Sequence, residues 1–74
     1  MADRNTARAV KTQVVSRLAG NAHVNGVGIG KRHGGWFVKV NLRDDDEDTR
    51  RGLPGEMGGV PVVVEVVGVV SARS

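Results

Sequence analysis

The sequence has no cysteine and few aromatic residues, and these shortages exclude several kinds of protein. Without cysteine the chain forms neither a disulfide framework nor a zinc site built on thiolates. Its only aromatic side chains besides the imidazoles are Trp36 and Phe37, and its only imidazoles are His23 and His33. Two histidines without thiolate neighbours fall short of a metal shell, so we expect no bound metal.

Long apolar runs are also missing. The longest, residues 60–70, is interrupted by Pro61 and Glu65 and is far shorter than the roughly 20 residues that a membrane-spanning helix needs. The first residues lack the apolar stretch of a secretory signal. The sequence therefore predicts no membrane association and a cytoplasmic location.

No arrangement of residues points to catalysis. The serines have no nearby base in the sequence, and no pair of carboxylates stands in an apolar setting. Residues 26–31 read Gly-Val-Gly-Ile-Gly-Lys, but Arg32 stands where a phosphate-binding loop needs Ser or Thr. We therefore predict a protein that is not an enzyme and holds no cofactor.

The acidic residues invite comparison with a calcium loop, which they do not complete. Asp44, Asp46 and Asp48 alternate as the first ligands of such a loop do. Thr49 and Gly55 then occupy the positions at which the loop requires glycine and glutamate. A solvated acidic loop is the better interpretation.

Charge is distributed unevenly along the chain, whose net charge is +3. The first 43 residues hold eight of the eleven basic residues and a single acidic one. Residues 44–56 hold six of the eight acidic residues. A basic body with an acidic loop is able to attract polyanions to one side or to bring two copies together.

Residues 3–19 have the pattern of an amphipathic helix. Ala7, Val10, Val14 and Leu18 recur at helical spacing, and Gly20 follows as a stop signal. From residue 22 the periodicity changes to two, which is typical of a strand.

The first strand carries alternate glycines. Val27 and Ile29 point to one side, whereas Gly26, Gly28 and Gly30 point to the other. This second side is almost bare, so either the helix or a ligand is expected to lie against it.

A hairpin and a second strand come next. The segment His33-Gly34-Gly35 supplies glycines for a tight turn. The alternation that follows is the most regular in the chain, with Trp36, Val38, Val40 and Leu42 on one face and Phe37, Lys39, Asn41 and Arg43 on the other. The pattern predicts an antiparallel strand pair.

Residues 44–59 are expected to form a long surface loop with one helical turn near residues 46–51, before a third strand over residues 60–70. The third strand is apolar on both sides, and such a strand needs cover on both faces. The sequence thus predicts one α+β domain over residues 1–74, with an N-terminal helix packed on a three-stranded antiparallel sheet.

A single helix covers only one face of this sheet, and so small a chain buries barely enough apolar surface to fold alone. We therefore expect a non-enzymatic interaction module that self-associates, as a dimer, through the second face of the sheet or the edge of its third strand. A different protein partner is the other expectation from this apolar surface. The residues expected to mediate self-association are Phe37, Pro61, Val63, Val67 and Val69.

Binding of single-stranded nucleic acid is the alternative hypothesis. An aromatic ring on the hairpin would stack on a base while neighbouring cations meet phosphates. The residues proposed for this role are Lys31, Arg32, Trp36, Lys39 and Arg43. Two aromatic residues are few for a stacking platform, and the acidic run would repel a nucleic-acid backbone.

Residues 23–68 also carry a series of short motifs. These are Val24-Asn25-Gly26-Val27-Gly28-Ile29-Gly30, then Phe37-Val38-Lys39-Val40, Leu53-Pro54, and Gly59-Val60-Pro61-Val62 through Val67-Gly68. The series resembles the small α+β segment that precedes the protease domain in bacterial trypsin-like peptidase chains. The resemblance implies an accessory or interaction unit and no catalytic residue.

Overall fold

A computed structural model describes residues 3–67 of the chain. In chain order the elements are α1 (Arg4–Arg17), β1 (Val24–Arg32), β2 (Gly35–Leu42), α2 (Glu47–Arg51), β3 (Glu56–Met57) and β4 (Val60–Val66). The strands form one sheet in the order β1-β2-β4-β3, and α1 packs on one face of it.

Helix α1 begins where the sequence pattern places it. Asp3 is the N-cap, and its side chain accepts a hydrogen bond of 2.8 Å from the backbone N–H of Thr6. The helix buries Ala7, Val10 and Val14 against the sheet. Gly20, with φ of 81°, follows the end of the helix.

Strands β1 and β2 form the antiparallel hairpin that the sequence predicts. Arg32 pairs with Gly35, so the connecting residues are His33 and Gly34. Their φ angles are 50° and 78°, the left-handed values that a two-residue type I′ turn requires.

The prediction of a three-stranded antiparallel sheet is wrong, and the difference begins at the third predicted strand. β4 pairs with β2 in parallel, with Val38 opposite Val62 and Val40 opposite Val64, and the sheet has four mixed strands instead of three antiparallel ones. The connection over residues 43–59 is long enough to return the chain to the starting end of β2, as a parallel crossover requires.

That connection also contains structure beyond the single helical turn expected there. α2 is the expected turn, whereas the short strand β3 was not expected. β3 and β4 form a second tight hairpin, in which Gly58 and Gly59 have φ of 59° and 82°.

The core lies between α1 and the two inner strands. Its buried apolar residues are Ala7, Val10, Val14, Val38, Val40, Leu42, Val60 and Val62. Val27, Ile29 and Trp36 pack at its margin, so these residues of β1 and β2 face the helix.

Candidate interaction surfaces

The opposite face of the sheet is formed by the residues that alternate with the core. We call it the open face and define it by Gly26, Gly28, Gly30, Arg32, Phe37, Lys39, Asn41, Pro61, Val63 and Glu65. α1 lies on the other side, and Pro61 remains exposed while Phe37 and Val63 are half-buried. Half of the sheet surface therefore lacks cover from the packed helix.

The glycines of β1 lie on the open face and do not face the helix. Gly28 pairs with Lys39, and Gly30 pairs with Phe37. A Cβ atom at Gly26 or Gly28 would meet nothing within 4 Å. These two positions form a shallow trough along β1. The glycine strip therefore faces away from the helix, and the helix does not cover it.

Gly30 has a different role from its neighbours. A Cβ atom there would lie 2.7 Å from Cζ of Phe37, closer than any real contact. The Phe37 ring thus lies across Gly30, and the Arg32 guanidinium lies 4.9 Å from the centre of that ring. Only glycine lets the ring cross from β2 onto β1.

The other half of the open face is raised. Pro61 and Val63 project from β4, and a hollow of about 310 Å³ lies between them and Phe37 near the hairpin turn. The open face thus combines an apolar ridge on β4 with a bare trough on β1.

The ridge and the trough carry little unpaired charge. Lys39 Nζ lies 2.9 Å from Oε1 of Glu65, so the ion pair joins β2 to β4 across the middle of the face. Both side chains are partly exposed, so water screens this pair.

The residues expected to mediate self-association fall into three groups. Phe37, Pro61 and Val63 lie together on the open face. Val67 is 40% exposed and follows the end of β4, where its N–H donates to the carbonyl of Leu42. Val69 lies outside the described residues.

The residues proposed for nucleic-acid binding do not share one surface. Lys31 and Trp36 are paired on the helix side of the hairpin, with Lys31 Nζ 6.0 Å from the Trp36 ring centre. Arg32 and Lys39 lie on the open face. Arg43 donates from Nη1 to the carbonyl of Ala22 at 3.3 Å.

A second surface, at the outer edge of β1, was not singled out by sequence reasoning. Arg4, Arg8, Lys11, Thr12, Val15 and Ile29 line a groove of about 430 Å³ between α1 and this edge. The helical spacing of Arg4, Arg8 and Lys11 is visible in the sequence. Its meaning depends on β1 being an edge strand, which only the strand order reveals.

The acidic run is largely occupied by contacts within the chain. Asp44 Oδ1 lies 2.7 Å from Nδ1 of His23, and Asp45 pairs with Arg50 at 2.9 Å. Asp46 caps α2 and accepts two hydrogen bonds from Thr49. These bonds lower the pKa of Asp46, with the larger effect from the Thr49 hydroxyl and the smaller from its N–H. Within residues 3–67, no group of three acidic or histidine side chains is arranged to hold a metal ion.

In the described part of the chain, neither helix has the length and apolar character to cross a bilayer. Comparison of the chain with protein families, with curated proteins and with solved structures finds no match. The resemblance to the segment preceding bacterial trypsin-like protease domains therefore stays a hypothesis.

Proposed function

We propose that this chain is a non-enzymatic interaction module that forms a dimer through the open face of its sheet. The observation that carries the proposal is the apolar ridge of Pro61 and Val63 on β4, which lies across β2 from the bare trough at Gly26 and Gly28 on β1. A ridge and a trough on one surface are self-complementary, as a two-fold interface requires.

We propose that the two faces fit around a two-fold axis that runs along β2. With a two-fold axis along β2, β4 of one copy lies over β1 of the other. Val63 and Gly28 are both aligned with Lys39, on opposite sides of it, so Val63 of each copy meets Gly28 of the other. Face-to-face sheets pack about 10 Å apart when side chains fill both surfaces, and the missing side chain at Gly28 leaves room for Val63.

The remaining contacts agree with this arrangement. Pro61 of one copy falls near Phe37 of the other, where the ring already covers Gly30. Each Lys39 then stands between its own Glu65 and Glu65 of the second copy, so the central charges balance. The contact buries apolar side chains, and the Arg32 guanidinium stays at the hairpin end of the face beside its own Phe37 ring.

The variant Gly28→Val tests the proposal because it blocks the trough without disturbing the protomer. A Cβ atom at Gly28 meets nothing within 4 Å in one copy, and valine favours strand structure. We expect sedimentation equilibrium to show a dimer for the natural chain at micromolar concentration and a monomer for Gly28→Val.

A matched control is Gly55→Val, which adds the same side chain outside the open face, where an added Cβ atom would also meet nothing within 4 Å. This control should dimerise like the natural chain. Urea unfolding of all three proteins checks that each is folded. A natural chain that is monomeric throughout, or a Gly28→Val variant that dimerises equally well, would refute the proposal.

Single-stranded nucleic acid is the second candidate partner, favoured by the Arg32–Phe37 pair beside the hollow. A base stacked in that hollow would contact the aromatic ring, and Arg32 would meet phosphate. Such binding would weaken steeply with salt. Titration of fluorescently labelled oligonucleotides at low salt tests it, and no change in anisotropy would exclude it.

A further inference from the structure

The outer edge of β1 is open to pairing among the described residues, since β1 is the first strand in the sheet order and β2 is its one neighbour. The two-residue turn makes Arg32 and Gly35 a hydrogen-bonded pair, so every second residue before Arg32 bonds to β2. The backbone groups of Val27, Ile29 and Lys31 consequently point outward.

A basic helix stripe borders this edge. Arg4, Arg8 and Lys11 line the groove beside Ile29, and no carboxylate of residues 3–67 lines it. Arg4 also lies 5.9 Å from the Trp36 ring centre, close to Lys31 at the hairpin end. The stripe therefore runs alongside the outward-facing backbone groups.

We propose that this edge binds an extended acidic peptide as an additional strand of the sheet. Its backbone would pair with Val27, Ile29 and Lys31, and every second side chain would enter the groove under α1. From Arg4 to Lys11 the helix rises about 10 Å, and three alternate strand positions span about 13 Å. Three acidic side chains at alternate positions thus match the three cations.

The same charges argue against a second copy at this edge. In a two-fold contact between β1 strands, both copies would bring Arg4, Arg8 and Lys11 to one seam, and like charges would repel. The acidic run of a second copy is no substitute, because Asp44, Asp45 and Asp46 already have partners within the chain and residues 47–51 are helical, so they do not form an extended strand. The partner is therefore an acidic peptide of another protein.

The test uses the full chain and a short fluorescent peptide of alternating Glu and Val, with a Lys-Val peptide as the reversed-charge control. We expect the Glu-Val peptide to bind and the Lys-Val peptide not to bind. The affinity for the Glu-Val peptide should fall as the salt concentration rises. The double variant Arg8→Glu, Lys11→Glu should lose this binding and gain binding of the Lys-Val peptide.

Backbone pairing is tested separately by two changes at Lys31. Lys31→Ala removes the ammonium charge and keeps the outward backbone N–H. Lys31→Pro removes the charge and that N–H, and it leaves the β1–β2 hydrogen bonds in place. We expect Lys31→Pro to bind about fivefold more weakly than Lys31→Ala, the effect of losing about one hydrogen bond. Circular dichroism confirms that both variants are folded.

Several outcomes would overturn the inference. Equal peptide binding by Lys31→Pro and Lys31→Ala would show that the peptide is held by electrostatic attraction without strand pairing. Binding of single-stranded DNA in the same groove, with competition against the peptide and no effect of Lys31→Pro, would indicate a nucleic-acid site. The Gly28→Val variant should bind the peptide normally, and loss of binding there would place the peptide on the open face instead. Absence of peptide binding at the β1 edge would leave the proposed dimer untouched.

Discussion

The glycines of β1 differ from one another in what surrounds them, although the sequence presents them as equivalent. Gly28 faces open space, and Gly30 lies under the Phe37 ring. The alternation predicted a bare strip, but the crossing of Phe37 depends on a rotamer that sequence periodicity does not specify.

Substituting alanine at the two positions separates these roles. Gly30→Ala forces the Phe37 ring from its place, and we expect it to lower the free energy of unfolding by about 0.5–1.5 kcal/mol, the cost of moving a side chain off its rotamer. Gly28→Ala meets nothing and should leave monomer stability unchanged or raise it by up to about 1 kcal/mol. Urea unfolding at low protein concentration measures both. Equal effects at the two positions would contradict the placement of the ring.

Asp46 links stability to pH. Hydrogen bonds from the hydroxyl and the N–H of Thr49 hold the pKa of Asp46 below its ordinary value of 3.8. The folded protein therefore binds fewer protons than the unfolded chain near that pH, so this carboxylate stabilises the fold above its ordinary pKa and ceases to do so as pH falls.

The variant Asp46→Asn should thus be less stable than the natural chain at neutral pH. It should also lose less stability between about pH 5 and about pH 2, because the titrating group is gone. Urea midpoints across this range provide the measurement, with Glu56→Gln as a carboxylate control in β3. A variant whose pH profile parallels that of the natural chain would contradict the role of the Asp46–Thr49 contact.

At the level of elements, local pattern located most of the structure. The capped N-terminus of α1 and the glycine turn at His33 and Gly34 are encoded by residues within a few positions of each other. The direction of β4 is not encoded in this way. Its valines suit a strand covered on both sides, and residues 43–59 are long enough for either an antiparallel or a parallel return.

The helix-to-sheet contact rests on one row of α1. Val14 is fully buried, whereas the neighbouring Val15 is 46% exposed. Val14→Ala should reduce the free energy of unfolding by about 2 kcal/mol, since it removes buried methyl groups and leaves a cavity. Val15→Ala should change it by less than about 0.5 kcal/mol. Similar losses for both variants in urea unfolding would show that α1 packs on a different row.

At the scale of the whole molecule, two surfaces differ in chemistry. The open face combines an apolar ridge with the Lys39–Glu65 ion pair and with Arg32 at its hairpin end, whereas the β1 edge is basic with outward backbone groups. Phe37, Pro61 and Val63 lie on one face because alternation sets the side within each strand and the β2–β4 register aligns the two strands. Sequence reasoning did not find the basic groove, because the groove joins a helix stripe to a strand edge that are distant in the sequence.

Val63 and Gly28 provide a direct probe of the proposed dimer. Within one copy they lie two strands apart, about 10 Å, which is beyond the reach of a nuclear Overhauser effect. In the proposed dimer, Val63 of one copy would contact Gly28 of the other. The decisive measurement is an isotope-filtered nuclear Overhauser spectrum of a mixture of labelled and unlabelled protein. We expect cross-peaks between the Val63 methyl protons and the Gly28 α protons of different copies. A dimer without these cross-peaks, or no dimer at millimolar concentration, would contradict the open face as the site of self-association.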